Sequence, residues 1–319
     1  MTDHHHDHGD SIGEGLRADR EGLRALTYSL AGLGATALLQ AGVVALSGSV
    51  ALLADTIHNA SDALTAVPLG VAFLLARRAP TRRYTYGYGR AEDLAGLVVV
   101  GAIALSAAVT AWQAVERLID PRPIEQAGWV AAAGLIGVVG NEAVAMYRIR
   151  VGRRIGSAAL IADGLHARAD GLTSLAVVGA ALGSLAGWRL ADPVVGLVIS
   201  VVIADVLRRA ARDVCCRLMD GVDPALVDSI DAELTAVPEV RDVGRVRVRW
   251  IGHRLHVDAD LVLDGDLALS RAHDVLEDAR HRLLHRVPRL ADALLHASPT
   301  SDASGAGDPH ALTRHHVAI

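Results

Sequence analysis

Over its first two thirds the chain alternates long apolar runs with short arginine-bearing links. It then changes to short apolar runs broken by Arg, Asp, Glu and His. Six windows reach the ~20 apolar residues that a helix needs to cross a bilayer: Leu26–Leu46, Val50–Ala76, Ala91–Leu118, Ala127–Tyr147, Ser157–Gly187 and Ala191–Ala210. Small residues recur in them, as in GLGATALLQAG and GLIGVVG, and small residues let helix backbones approach closely in lipid. The pattern predicts an all-α six-helix transmembrane domain over residues 25–213, preceded by a His-rich tail over 1–24.

Beyond Val214 to Gly221 the periodicity is that of a soluble domain. Pro224–Ala236 reads as a helix with Pro in its first turn. Val246, Val248 and Trp250 alternate with Arg245, Arg247 and Arg249. Leu255, Val257, Ala259, Leu261 and Leu263 then alternate mostly with His256, Asp258 and Asp260. With Ile251-Gly252-His253 as the turn, this is a β-hairpin with one dry and one wet face. Ser270–Arg286 reads as a second helix opened by a capping serine, and Asp292–His296 as a third strand. The order αββαβ predicts a small α+β domain over 214–298, and the Ser-, Gly-, Asp- and Pro-rich residues 299–319 read as a disordered tail.

Composition agrees with the membrane class: 51% of the 319 residues are hydrophobic and the mean hydropathy is +0.32. The formal net charge of -5 conceals that every basic residue is Arg. Arg77, Arg78, Arg82, Arg83 and Arg90 fill the link after the second window, Arg148, Arg150, Arg153 and Arg154 the link after the fourth, and Arg208, Arg209 and Arg212 follow the sixth. The opposite links are poor, with Arg117, Arg122 and Arg189 only. By the positive-inside rule both termini are cytoplasmic, in a multi-pass protein of the cell (inner or plasma) membrane. No removable signal peptide is expected, and the adjacent Cys215 and Cys216, placed just after the last helix, suggest a reducing side. His4, His5, His6 and His8 at one end, and His310, His315 and His316 at the other, are compositional signals for weak metal scavenging, the first cluster reading equally as an added tag.

The candidate chemistry lies inside the apolar windows. LLADTIHNASDALTA carries Asp55, His58 and Asp62, and LIADGLHARADGLTS carries Asp163, His166 and Asp170 at the same spacing. Residues three and four apart share a helix face, so each trio lines one stripe. A charged side chain at the bilayer centre costs about 2.5–3.5 kcal/mol even on the lenient insertion scale, so six such groups need a compensating partner. A bound cation provides one. His58, Asp62, His166 and Asp170 form a four-coordinate set of two imidazoles and two carboxylates that suits zinc and would also accept cobalt, cadmium, iron or manganese. Asp55 and Asp163, one turn away, read as supporting or entrance carboxylates that orient the histidines. Neither a Gly-Lys phosphate loop nor His-Glu-x-x-His is present, so neither an ATP-driven pump nor a metallohydrolase is expected. No enzyme activity, cofactor or nucleic-acid partner is expected.

In SVALLADTIHNASD, YTYGYGRAEDLAGL, ALIADGLHARADGLTS, LADPVVGLVIS, the hairpin-to-helix stretch RVRVRWIGHRLHVDADLVLDGDLALSRAHDVLED and the closing LLHASP, the chain resembles the cation diffusion facilitator family of metal transporters. The resemblance covers about Leu26 to Pro299. It implies a homodimer exporting divalent cations in exchange for protons by alternating access, with a transport site between the second and fifth helices. His58, Asp62, His166 and Asp170 fall on its ligands, in the form associated with zinc-preferring members. It also implies a ferredoxin-like cytoplasmic domain in which Asp260, His273 and His296 fall on or near regulatory metal positions. Gly244 and Ser298 depart from members that carry ligands there, and the 77–90 loop has no His or Asp, so a loop metal site is not expected. Membrane lipid headgroups or the tail domain remain as partners for the loop arginines. The alternatives are export of another divalent metal, or a membrane metal sensor that does not transport.

Overall fold

A computed structural model describes residues 7–47, 66–120, 126–188 and 190–300. The chain divides into a helical unit over residues 16–218 and a smaller unit that takes in the residues up to Gly15 together with those from Met219 onward. The helical unit is built from α1 (Asp7–Ser47), α2 (Ala66–Ala76), α3 (Arg90–Ile119), α4 (Ala127–Ile155), α5 (Ala158–Leu185) and α6 (Ala191–Leu218). Among the described residues, three stretches are long and apolar enough to cross a membrane: Gly15–Leu46 within α1, all of α3 and all of α4. At 1.5 Å per residue, the 28 residues of α5 or α6 span about 42 Å, but internal Asp, Arg or His side chains dilute their apolar character.

Several helices outrun the apolar windows. α1 starts at Asp7, not near Leu26; α4 continues from Tyr147 to Ile155; α6 continues from Ala210 to Leu218. The extensions share a high content of Arg, which favours helix about as well as the apolar Leu does, so the helix persists where hydropathy stops. Two expectations change as a result. Cys215 and Cys216 are exposed on the last turns of α6 rather than beyond it. The Arg148–Arg154 stretch is helical, and Arg148 is buried within it rather than exposed in a link.

The helical unit is apolar outside and partly polar inside. Leu38, Leu39, Leu105, Trp112 and Val201 are exposed, while Gln40, Glu92, Asn141, Asp163, His166 and Asp170 are buried. That inversion suits a lipid solvent, where apolar side chains face out without cost and polar ones must find partners within the protein. Exposed Trp112, Trp129 and Trp188 lie toward one end of α3, α4 and α5, and exposed Tyr84 and Tyr86 precede α3 at the other, as interfacial aromatic belts require.

α4 and α5 form the tightest pair. Gly156 ends α4 at φ 79°, a left-handed conformation that glycine adopts without strain, and Ser157 caps α5 by accepting from Leu160 N–H at 3.0 Å. The two-residue reversal lays the helices antiparallel. A Cβ added at Gly152 would lie 3.0 Å from the Ile161 amide nitrogen, and one at Gly164 would lie 3.0 Å from that of Ile149. Side chains at either position would push the backbones apart, so these glycines set the interhelical distance.

The smaller unit follows the αββαβ order: α7 (Pro224–Thr235), β1 (Asp242–Ile251), β2 (Arg254–Leu263), α8 (Leu269–Arg286) and β3 (Leu290–Pro299). Its sheet runs β1-β2-β3, with β1 antiparallel and β3 parallel to β2, α8 being the crossover that a parallel neighbour needs. Burial along β2 alternates at every residue, Leu255, Val257, Ala259, Leu261 and Leu263 facing the core. Ile230 and Leu234 of α7 and Val275, Ala279 and Leu283 of α8 close that core from one side. Asp223 caps α7, accepting from Ala225 N–H at 3.0 Å. At α8 the capping position is Ala268, without a side-chain cap; the helix starts at Leu269, one residue early, so Ser270 falls inside its first turn.

Because this unit carries its own core, residues 219–300 can be unfolded alone. Truncating the fully buried Leu283 to Ala is expected to lower stability by about 2–5 kcal/mol, read as a drop in the urea midpoint without a change in slope. His256 gives a pH signature. Burial holds its pKa below the ordinary 6.5, against the opposing pull of Asp292 and Asp258. Below that value the unfolded chain binds the extra proton and the folded one resists it, so this contribution to stability is lost as pH falls. His256→Gln should flatten the change in urea midpoint between about pH 7.5 and about pH 5.5; an identical pH profile in the variant would exclude the effect.

Candidate metal-transport site

α5 carries Asp163, His166 and Asp170 on one stripe, and all three are buried, at 0%, 2% and 3% exposure. The helix forms through them because Ala, Leu and Gly dominate the intervening positions and Ser157 fixes its start. His166 Nδ1 lies 3.8 Å from Asp170 Oδ1, the approach expected of residues four apart. The Thr173 hydroxyl donates to the Asp170 carbonyl at 2.7 Å within the continuous helix. Behind this stripe Gly171 places Asn141 of α4 against α5, and Arg168 binds Glu142 through two contacts of 2.6 and 3.1 Å. Asp55, His58 and Asp62 lie outside the described residues, as do the terminal histidines' side chains. α2, which begins at Ala66 immediately after that stretch, packs against α3 and α5.

Asp163 has a partner that sequence reasoning missed. Arg148 of α4 reaches it at 3.0 Å, the guanidinium at 1% exposure and the carboxylate at 0%. A charge pair sequestered this completely is compensated mainly by its own two members, and removing one member of such a pair costs about 3–5 kcal/mol. Asp163 therefore faces a protein cation across the α4–α5 interface. A signal was present: once the helices reverse at Gly156-Ser157, residues nearly equidistant from that turn face each other, as Arg148 and Asp163, Ile149 and Gly164, and Glu142 and Arg168 do. Reading Arg148 as a link residue hid it.

Toward the Arg-rich end, Arg90 of α3 pairs with Asp93 at 3.6 Å, and Arg217 of α6 donates to the Gly156 carbonyl at 2.7 Å. At the other end Arg117 of α3 grips Asp192 of α6 at 2.6 Å. The Arg217 and Arg117 contacts join neighbouring helices, whereas the Arg90–Asp93 pair lies within α3.

In the smaller unit the three candidate regulatory residues are placed apart. Asp260 of β2 and His296 of β3 are register partners and stand side by side on the sheet face away from the core, whereas His273 is exposed on α8, which covers the opposite face. Among the described residues, no three His, Cys, Asp or Glu side chains are grouped so as to hold a metal. The reason is local. A Cβ at Gly244, beside the bulge in β1, would lie 3.1 Å from Asp260 Cβ, so the position that could add a third ligand to Asp260 and His296 has no side chain.

Comparison with known proteins places these features in a family. Residues 26–219 match the model of the cation efflux transmembrane domain, and residues 222–300 match that of the cation efflux protein cytoplasmic domain. The chain is 57% identical over 305 residues, 96% of its own length and 92% of the relative's, to a Mycobacterium tuberculosis protein named "probable cation efflux system protein". It is 31% identical over 241 residues to the zinc transporter ZitB of Escherichia coli, covering 73% of this chain and 76% of that one. It is 26% identical over 282 residues to the manganese efflux system protein MneP of Bacillus subtilis, covering 85% and 95%. With transmembrane-type helices, an α+β C-terminal domain and both domain models matched along its length, the chain belongs to the cation efflux family, the cation diffusion facilitators that its motifs resemble, and is a membrane transporter and not an enzyme.

Proposed function

We propose that the protein exports divalent metal ions, zinc foremost, from the cytoplasm in exchange for protons. The observation that carries this reading is the buried His166–Asp170 pair on α5, a metal-competent stripe inside a helix of a cation efflux transmembrane domain. His58 and Asp62 are the matching half, with α2 leading out of their stretch and packing against α5. Two imidazoles and two carboxylates in four-coordinate geometry favour zinc over harder cations, which take more oxygen ligands. Ligation requires neutral imidazole and ionised carboxylate, so metal entry displaces protons and reprotonation drives release.

In this reading the protein is a homodimer in the inner or plasma membrane with both termini cytoplasmic. Exposed Arg77, Arg78, Arg82 and Arg83 before α3, and Arg150, Arg153 and Arg154 at the end of α4, lie on the side that the rule assigns to the cytoplasm. The likeness to a manganese efflux protein keeps manganese as the second candidate cargo. The smaller domain, having Asp260 and His296 adjacent but no third ligand near them among the described residues, would hold a regulatory metal between these two only weakly.

The test is zinc flux into liposomes containing the purified protein at a fixed pH gradient, with internal pH recorded together with metal. Wild-type uptake accompanied by proton counterflow is expected. His166→Ala and Asp170→Ala should each cut the rate about tenfold or more, because each removes one of four ligands. Undiminished uptake in both variants would remove the stripe from the transport path, and uptake that leaves internal pH untouched would remove the exchange.

A further inference from the structure

Arg148 is the largest fully buried side chain among the described residues, and it sits in a helix of a domain that faces lipid. Stability alone does not explain it. A buried ion pair is commonly no more stabilising than two well-packed apolar side chains of similar volume, so the charge pair adds something that packing would not. What it adds is a positive charge directed at one carboxylate, the guanidinium lying 3.0 Å from Asp163 where neither group reaches solvent.

The position of the partner gives that direction a use. Asp163 lies three residues before His166 and seven before Asp170, on the same stripe of α5. One residue along each helix, Ile149 and Gly164 meet at backbone contact, which fixes how close α4 and α5 approach and where one sits along the other. The same packing holds Arg148 opposite Asp163, where the guanidinium charge offsets that of the carboxylate. Without it the carboxylate would be a lone buried charge on the stripe of His166 and Asp170.

We propose that Arg148 is the fixed counter-charge of Asp163: by pairing with that carboxylate inside the helical unit it withholds Asp163 from the metal and leaves ligation on α5 to His166 and Asp170. This rests on the reading of His166 and Asp170 as half of the transport site. In consequence Asp163, one turn before His166, takes no part in ligation.

The experiment is zinc flux by the full-length protein in liposomes, measured across zinc concentrations for wild type, Arg148→Met, Asp163→Asn, the double variant Arg148→Met/Asp163→Asn and the conservative Arg148→Lys. Each single neutralisation strands a buried charge and should lower the maximal rate about tenfold or more, whereas the double variant, with no charge stranded, should recover most of the loss. Arg148→Lys, which keeps charge but not the planar fork, should fall between wild type and Arg148→Met. The zinc concentration for half-maximal flux in the double variant should stay within about twofold of wild type, because no ligand has been removed.

A double variant that is as slow as Asp163→Asn, or that needs about tenfold more zinc, would overturn the proposal and make Asp163 a ligand or an entrance carboxylate. Single variants that transport like wild type would also overturn it. Should Arg148→Met fail to fold, the double variant still decides: folded and active supports the pair, folded and inactive or unfolded refutes it. Absence of zinc flux in wild type would be a different failure, that of the transport reading itself.

Discussion

A guanidinium and a carboxylate without access to water can coexist only in contact, and the 3.0 Å approach of Arg148 to Asp163 obliges α4 and α5 to come together closely along their length. Much of the helical unit follows from that obligation. The Gly156-Ser157 reversal puts the two groups opposite each other, Gly152 and Gly164 let the backbones close, and the paired Glu142 and Arg168 fasten the hairpin further along. Thr36 and Gln40 of α1 then reach the outer face of α4, where Gly137 and Gly140 leave room for them. The apolar exterior needs no such specificity, because one lipid-facing Leu or Val serves as well as another.

The stripe of His166 and Asp170 inherits its surroundings from the same hairpin. A metal site inside a membrane protein has to be polar enough to bind and dry enough to select, and it must not fill with adventitious protein cations. Arg148 meets the Asp163 carboxylate one turn away and Glu142 meets Arg168, while His166 and Asp170 are buried on their own stripe of α5. The smaller domain solves a different problem. Its core is closed from one side by α7 and α8, and the other sheet face carries the charged residues of β1 and β2, with Arg249 3.7 Å from Asp258.

The order of elements, the hairpin register of β1 and β2 and the repeated three-residue constellation were legible because each rests on a strict period. Alternation along β2 holds at every residue, and the His-x-x-x-Asp spacing is a helix face by geometry. Helix ends were not legible where apolar windows stood in for helices: α1, α4 and α6 run on into charged sequence, and the misplacement of Arg148 followed from that substitution. Tertiary partners were the other blind spot. That Asp163 belongs to Arg148, and that His273 lies across the sheet from Asp260 and His296, depend on how elements pack, which no local period encodes. The other half of the candidate site, Asp55, His58 and Asp62, lies outside the described residues.

The absence of lysine has a consequence for the proposed exchange of metal for protons. Arginine does not release its proton at any pH a cell sustains, so Arg148 beside Asp163, Arg117 beside Asp192 and Arg217 beside the Gly156 carbonyl are constants of the scaffold. The groups free to change charge over that range are the histidines and carboxylates. Structural charge and exchangeable charge are thus assigned to different chemistries, and acidity on one side of the membrane can act on the exchangeable set without loosening the frame that holds it.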